Sequence, residues 1–304
     1  MRILLESRRA CLQGGAGLGN QRRLQHNVFV IRCRLPVFVV FVALAATAVV
    51  SAQTRTYIAL GDSVSWGYQP NDTARGAGDK GFVRPFADWL GTRQGGVRPR
   101  VINLSIPGET SSSFFDTTEV GYLLNSNYPL LFRSSQSSTF GSRVTNEFAA
   151  GRTITHVTYA LGGNDMLDLL TSSFLTLPFA QQTATVDQTL LTTDAKIVQA
   201  LTLVRQRLPG AILIVPGYYN PYAADPNSAE QRIALYALPR LNLLLATRAR
   251  QFGCYFAPTY ADFLGQELAW TWIGDNDIHP RQAGYDAIGR RVILTATKIP
   301  SRAP

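Results

Sequence analysis

Thr56-Tyr57-Ile58-Ala59-Leu60 runs directly into Gly61-Asp62-Ser63-Val64-Ser65-Trp66-Gly67. The first five residues, β-branched, aromatic and aliphatic, read as a short buried strand. Gly61 permits a sharp turn, and a serine follows two residues later. The carboxyl end of a buried parallel strand is where open α/β sheets bind ligands. It is also where a nucleophile stands exposed, beside the amides of a helix N-terminus. The plainer reading is a strand, a glycine turn and an Asp or Ser helix cap.

Working outward, the same unit recurs. Arg100–Leu104, Thr155–Leu161, Ala211–Val215 and Cys254–Ala257 are further apolar runs of strand length. Phe86, Trp89 and Leu90 keep helical spacing between the first two strands. Leu190, Ile197, Leu201, Val204 and Leu208 do so before the fourth strand, and Pro209-Gly210 stops that helix. Helices are expected from about 229 to 252, restarted by Pro239 near a new first turn and closed by Gly253. A last helix is expected from about 281 to 298. Alternating strands and helices with largely apolar strands predict a parallel sheet covered on both faces. Five strands suit a flavodoxin-like three-layer α/β sandwich with sheet order 2-1-3-4-5. No internal repeat or interdomain linker is evident, so 54–304 reads as one domain. Within it, 109–152 has no clear periodicity and is expected to form a lid-like insertion with one or two short helices, or a surface insertion without a role.

The formal charge of +9 over 304 residues is unevenly placed. Residues 1–52 hold seven of the 29 Lys+Arg and one of the 20 Asp+Glu, so the rest carries 22 − 19 = +3. Base does not cluster with aromatic residues there as in nucleic-acid binders, and no nucleic-acid partner is expected. The leader reads as a secretory signal peptide: Arg32 and Arg34, then the apolar run Leu35–Val50, then Ser51-Ala52. The run is shorter than the ~20 residues of a spanning helix. Cleavage after Ala52 and a secreted or periplasmic location are expected, with no stable membrane span after processing; an uncleaved anchor is the alternative. Residues 1–27 extend the leader beyond the usual ~15–30 residues, as a start misplaced upstream of Val28 or Val30 would. Cys11 and Cys33 fall in the leader, so Cys254 stands alone in the mature chain and reads as a small buried hydrophobe.

Three further short blocks follow the serine block in order: Asn103-Leu104-Ser105-Ile106-Pro107-Gly108, Gly162-Gly163-Asn164-Asp165 and Asp277-Ile278-His279-Pro280. Together the four resemble the blocks of the SGNH/GDSL hydrolases, over about 56–297. The resemblance implies the same α/β fold, ester hydrolysis through an acyl-serine, and an oxyanion hole at Ser63, Gly108 and Asn164.

The residues read independently point to the same chemistry. Ester cleavage needs a nucleophile, a base and oxyanion donors. Ser63 is the candidate nucleophile; Ser65 and Ser105 are its rivals. Of the two histidines in the mature chain, His156 lies in a predicted strand without an acidic neighbour and reads as structural. His279, following Asp277 and opening the last helix, is the candidate base. Gly108 offers an unhindered N–H and Asn164 a neutral side-chain amide. The resembled family places its acid three residues before the histidine, where this chain has Asn276, an amide. If the segment is helical, Asp275 shares the face of His279; if extended, Asp277 does. His279-Pro280 favours extended backbone, and Asp277 is the expected acid.

No metal-ligand set and no nucleotide-binding motif is present in the mature chain, so no metal and no cofactor is expected. The expected function is a secreted serine esterase, lipase-like or carbohydrate acetylesterase-like, acting on a small-molecule, glycan or lipid ester. The alternatives are an extracellular acyltransferase using the same site and a non-catalytic binding module of the same fold. Tyr218, Tyr219 and Tyr222 are candidate pocket residues.

Overall fold

A computed structural model describes residues 54–70, 79–93, 95–116 and 134–300. The leader, its cleavage point and residues 117–133 lie outside the described residues. In chain order the main elements are β1 (Arg55–Gly61), α1 (Ser63–Trp66), α2 (Val83–Arg93), β2 (Arg100–Asn103), α3 (Gln136–Ala149) and β3 (Thr153–Ala160). There follow α4 (Gly163–Leu167), α5 (Phe179–Arg207), β4 (Ile212–Pro216), α6 (Ala229–Gln251), β5 (Tyr255–Ala257) and α7 (Gln282–Thr297).

The five strands pair in parallel in the order β2-β1-β3-β4-β5, as the sequence predicts. Side chains alternate between two cores because a strand has a period of two. Ile58 and Leu60 of β1 and Leu213 and Val215 of β4 join the core beneath α3, α5 and α6. Tyr57 and Ala59 of β1 and Ile214 of β4 join the core beneath α2 and α7. Phe86 and Ile197, one from each core, are 0 % exposed; burying a side chain of that size is worth about 1.5–3 kcal/mol. The described part of 109–152 comprises the loop after β2 and α3, whose Phe140 and Val144 are core residues. Ser135 caps α3, its hydroxyl accepting from the Ser138 N–H at 3.2 Å.

One helix departs from the sequence reading. α6 is continuous, with Pro239 inside it rather than at a restart. Proline leaves the carbonyl four residues earlier, that of Leu235, without its helical donor. Leu235 and Pro239 both face solvent, where water can take that place. The opposite stripe, Ile233, Ala237, Leu241 and Leu245, stays packed in the core and holds the helix through the proline. Among the described residues no helix is long and apolar enough to cross a membrane.

Candidate active site

The serine turn is built by buried groups. Gly61 ends β1 at φ +155, and a Cβ there would lie 2.4 Å from Ser65 Oγ and 2.7 Å from the Ala160 carbonyl. Only glycine fits. The Gln136 side chain brackets this residue, accepting from the Gly61 N–H at 2.8 Å and donating to its carbonyl at 2.9 Å. The Asp62 N–H donates to Ala160 O at 3.2 Å. Asp62 Oδ1 caps α1 by accepting from the Val64 N–H at 2.9 Å, and Oδ2 accepts from the Tyr218 hydroxyl at 2.7 Å. Burial raises the Asp62 carboxyl and these hydrogen bonds lower it again, leaving it at about 6. Gly67, left-handed at φ +81, closes the turn of helix that carries Ser63.

His279 arrives on the loop between β5 and α7. A turn at Ile273–Asp275 ends on Asn276 at φ 59, the left-handed region that asparagine tolerates better than most residues. The chain then leaves the helical turn and bends at His279. Thr271 and Pro280 form an antiparallel bridge, and the Trp272 N–H donates to His279 O at 2.9 Å. Gln69 ties the loop down, donating to Pro280 O at 2.9 Å and accepting from Trp272 Nε1 at 2.9 Å. The Tyr219 hydroxyl donates to Ile278 O at 2.6 Å. The Tyr68 ring lies 4.3 Å from the imidazole, centroid to centroid.

These two segments bring Ser63, His279 and Asp277 together. Ser63 Oγ is 2.8 Å from His279 Nε2. His279 Nδ1 is 2.7 Å from Asp277 Oδ1, which also accepts from the His279 backbone N–H at 2.8 Å. Burial would raise the Asp277 carboxyl, but its hydrogen bonds from His279 outweigh that and hold it below the ordinary range. Asp275 is exposed and paired with Arg281 Nη2 at 2.7 Å. The left-handed Asn276 lies between the two acids, with Asp277 on the ring and Asp275 on Arg281.

Gly108 stands on the loop after β2 and Asn164 in the first turn of α4, just after β3. No described residue accepts from the Ser63 or Gly108 N–H. Asn164 Nδ2 spends one hydrogen on Glu109 O at 2.8 Å and retains a second. Ser65 and Ser105 are 0 % and 1 % exposed, their hydroxyls without a partner among the described residues, and neither faces the histidine. His156 is buried in β3, with Nδ1 2.9 Å from Thr155 Oγ1, and burial pushes its imidazole down to about 4. Cys254 is a buried free thiol.

Sequence reasoning missed the support beneath these loops. Glu109, 0 % exposed, accepts from Ser113 Oγ at 2.6 Å and from Gln136 Nε2 at 2.9 Å. Burial pushes its carboxyl up to about 7. Asp165 holds the same loop, accepting from the Ser111 N–H at 2.8 Å and from Ser111 Oγ at 2.5 Å. An acid beside each candidate oxyanion residue was the available signal; nothing in the sequence gave the partners. Beside Ser63 opens a pocket of about 660 Å³, partly open to solvent, to which Tyr218, Tyr219 and Tyr222 all contribute. Among the described residues no cluster of His, Cys, Asp or Glu could hold a metal ion.

The sequence profile of the GDSL-like lipase/acylhydrolase family matches residues 59–287. No curated protein matches the chain. Among solved structures, it is similar to the lipase Lip_vut3 from goat rumen metagenome, with 18% identity, TM-score 0.56 and coverage of 80% of this chain and 97% of that one. It is similar also to an extracellular lipase from Streptomyces rimosus, with 21% identity, TM-score 0.54 and coverage of 80% and 99%. A third is a mutant of Axe2, an acetyl-xylooligosaccharide esterase from Geobacillus stearothermophilus, with 14% identity, TM-score 0.51 and coverage of 83% and 98%. At these identities the likeness is one of fold.

Proposed function

The chain belongs to the GDSL-like lipase/acylhydrolase family of ester hydrolases, and we propose that it is an exported serine esterase with Ser63 as nucleophile, His279 as base and Asp277 as the acid of the triad. The observation that carries this reading is the pair of contacts on one imidazole: 2.8 Å from Nε2 to Ser63 Oγ and 2.7 Å from Nδ1 to Asp277 Oδ1. A proton on Nδ1, facing the carboxylate, leaves Nε2 free to accept.

The reaction follows from that geometry. Ser63 Oγ gives its proton to His279 Nε2 and attacks the ester carbonyl carbon. The carbonyl oxygen becomes an oxyanion, received by the Ser63 and Gly108 N–H groups and the second hydrogen of Asn164 Nδ2. Asp277 stabilises the imidazolium. The bond to the alcohol oxygen breaks, His279 returns its proton to that oxygen, and an acyl-serine remains. Water then gives a proton to His279 and its oxygen attacks the acyl carbon. Collapse releases the acid and restores the Ser63 hydroxyl.

Ser63→Ala should lower ester hydrolysis by on the order of 10⁶ in kcat while the protein stays folded, and a fluorophosphonate should label Ser63 in the wild type. Full activity in the variant, or labelling at Ser65, would reassign the nucleophile. Export rests on the leader, with its two arginines, apolar run and small residues before Gln53. Secreted protein should start near Gln53 by N-terminal sequencing; membrane-bound protein retaining 32–50 would mean an anchor.

A further inference from the structure

We infer that the pocket beside Ser63 is an acyl-chain groove, and that the esters this protein prefers carry an unbranched aliphatic acyl group of medium length rather than acetyl. The inference rests on the esterase reading above and names the substrate class of the same site.

One wall of the groove is a single stripe of α6. Ile233 and Ala234, Ala237 and Leu238, then Leu241 line it, at the i, i+4, i+8 spacing that places side chains on one helical face. The facing wall comes from α4 and the residues after it, through Met166, Leu167 and Leu170. Two alanines on the stripe hold the groove open where longer side chains would fill it. Leu241, 0 % exposed, closes the buried end, its Cδ1 packed against Gly162.

The groove offers little to a polar ligand. Among the described residues Asp62 is its only carboxylate and His279 its only imidazole, and both are already engaged in the Ser63 site. Two of its three tyrosines contribute rings more than hydroxyls: Tyr218 donates to Asp62 and Tyr219 to Ile278 O. A sugar seated here would leave most of its hydroxyls without partners, whereas an alkyl chain needs none. Each methylene taken out of water can raise kcat/KM by up to about fourfold. The stripe from Ile233 to Leu241 is about 12 Å long at the helical rise, which accommodates a zigzag chain of roughly eight to ten carbons.

The test is kcat/KM of the full mature protein on p-nitrophenyl acetate, butyrate, octanoate and palmitate. The wild type should climb from acetate to octanoate and gain nothing further at palmitate. Ala234→Phe, a filling change on the solvent-near part of the stripe, should cut the octanoate-to-acetate ratio at least tenfold. Leu170→Ala, at a half-buried wall position, should move the optimum to longer chains; melting temperatures verify folding of both. Acetate as the best substrate, or a ratio that neither folded variant moves, would overturn the acyl groove while leaving the esterase reading standing. No turnover of any ester, with no fluorophosphonate label on Ser63, would overturn both.

Discussion

The serine turn and the histidine loop meet at one 2.8 Å contact but are held by different kinds of force. The turn is sealed: Asp62 is 2 % and Ser63 7 % exposed, and its anchors, Gln136, Ala160 and Tyr218, are buried core groups. The loop is half-exposed and strung between polar side chains. Gln69 spans Trp272 and Pro280, and Arg281 lies 3.7 Å over the Trp272 ring while pairing with Asp275. Buried hydrogen bonds are costly to leave unmade, and exposed ones exchange with water. The comparison therefore assigns different consequences to the two regions. Changes in the loop should appear in the rate with the fold intact. Changes beneath the turn should appear in stability as well.

The largest effect expected within the loop is at the acid. Asp277→Asn removes the acceptor that selects the imidazole tautomer and stabilises the imidazolium, and should lower kcat by up to about 10⁴. Asp275→Asn loses only an exposed ion pair, worth about 0–1 kcal/mol, and should leave kcat near wild type. Melting temperatures of both should stay close to that of the parent. A large loss in Asp275→Asn with Asp277→Asn unaffected would reverse the assignment, and near-silence of both together with their double variant would leave a Ser63–His279 dyad.

Asn164 lines the pocket beside Ser63, and its amide supports the Gly108 loop at Glu109 O while keeping a second hydrogen. A donor that strengthens its bond only as the oxyanion forms should be seen in kcat and little in KM. Asn164→Ala should thus cost about 10²–10³ in kcat. A change confined to KM would make it a substrate-binding residue instead.

What the sequence revealed divides along the same line. Strand positions and the serine turn are local matters: apolar runs of strand length, and a glycine where a side chain would strike Ser65 and Ala160; the strand order follows from the strand–helix alternation of the whole chain. The expectation for His279 rests on there being only two histidines in 53–304, one of them mid-strand. The expectation of Asp277 over Asp275 rests on the backbone bias before Pro280, again a local cause. Illegible were the contacts between distant residues. Gly61 with Gln136, Asp62 with Tyr218 and Glu109 with Gln136 are 75, 156 and 27 positions apart. Which buried acid meets which amide or phenol is decided by how α3 and the loop after β4 dock. Pro239 fails in the opposite direction: a reliable local breaker is overridden by the packing of the inner face of α6.

The smallest effect on rate, and the sharpest on the buried side of the comparison, concerns Glu109. Its carboxyl is raised from an ordinary 4.5 to about 7 because burial disfavours the charged form. A raised folded-state value means that its contribution to stability is fully present below about 4.5 and is lost as pH rises through about 7. Over that interval the loss amounts to as much as about 3 kcal/mol. Glu109→Gln keeps the shape and stays neutral: its oxygen can accept from Gln136 Nε2, and its amide can donate to Ser113 Oγ, which rotates to accept. The variant should match wild type near pH 4.5 and be the more stable at pH 8. The comparison must be made as a difference between the two proteins, because His156 acts in the opposite sense. Its imidazole is lowered to about 4, so its contribution is lost as pH falls from about 6.5 toward 4. That term is common to both chains and cancels. Asp62, raised to about 6, also falls with rising pH; its charge is one of the causes that raise Glu109, so removing the Glu109 charge relieves part of that term as well and adds to the variant's advantage at high pH. Urea midpoints at pH 5 and pH 8 measure the difference. An advantage to the variant that grows with pH, with kcat within a few-fold of wild type, is the expected result. A variant less stable at pH 8 would mean that the ionised carboxylate of Glu109 holds the Gly108 loop, and that the buried side of the site is built on charge rather than on its suppression.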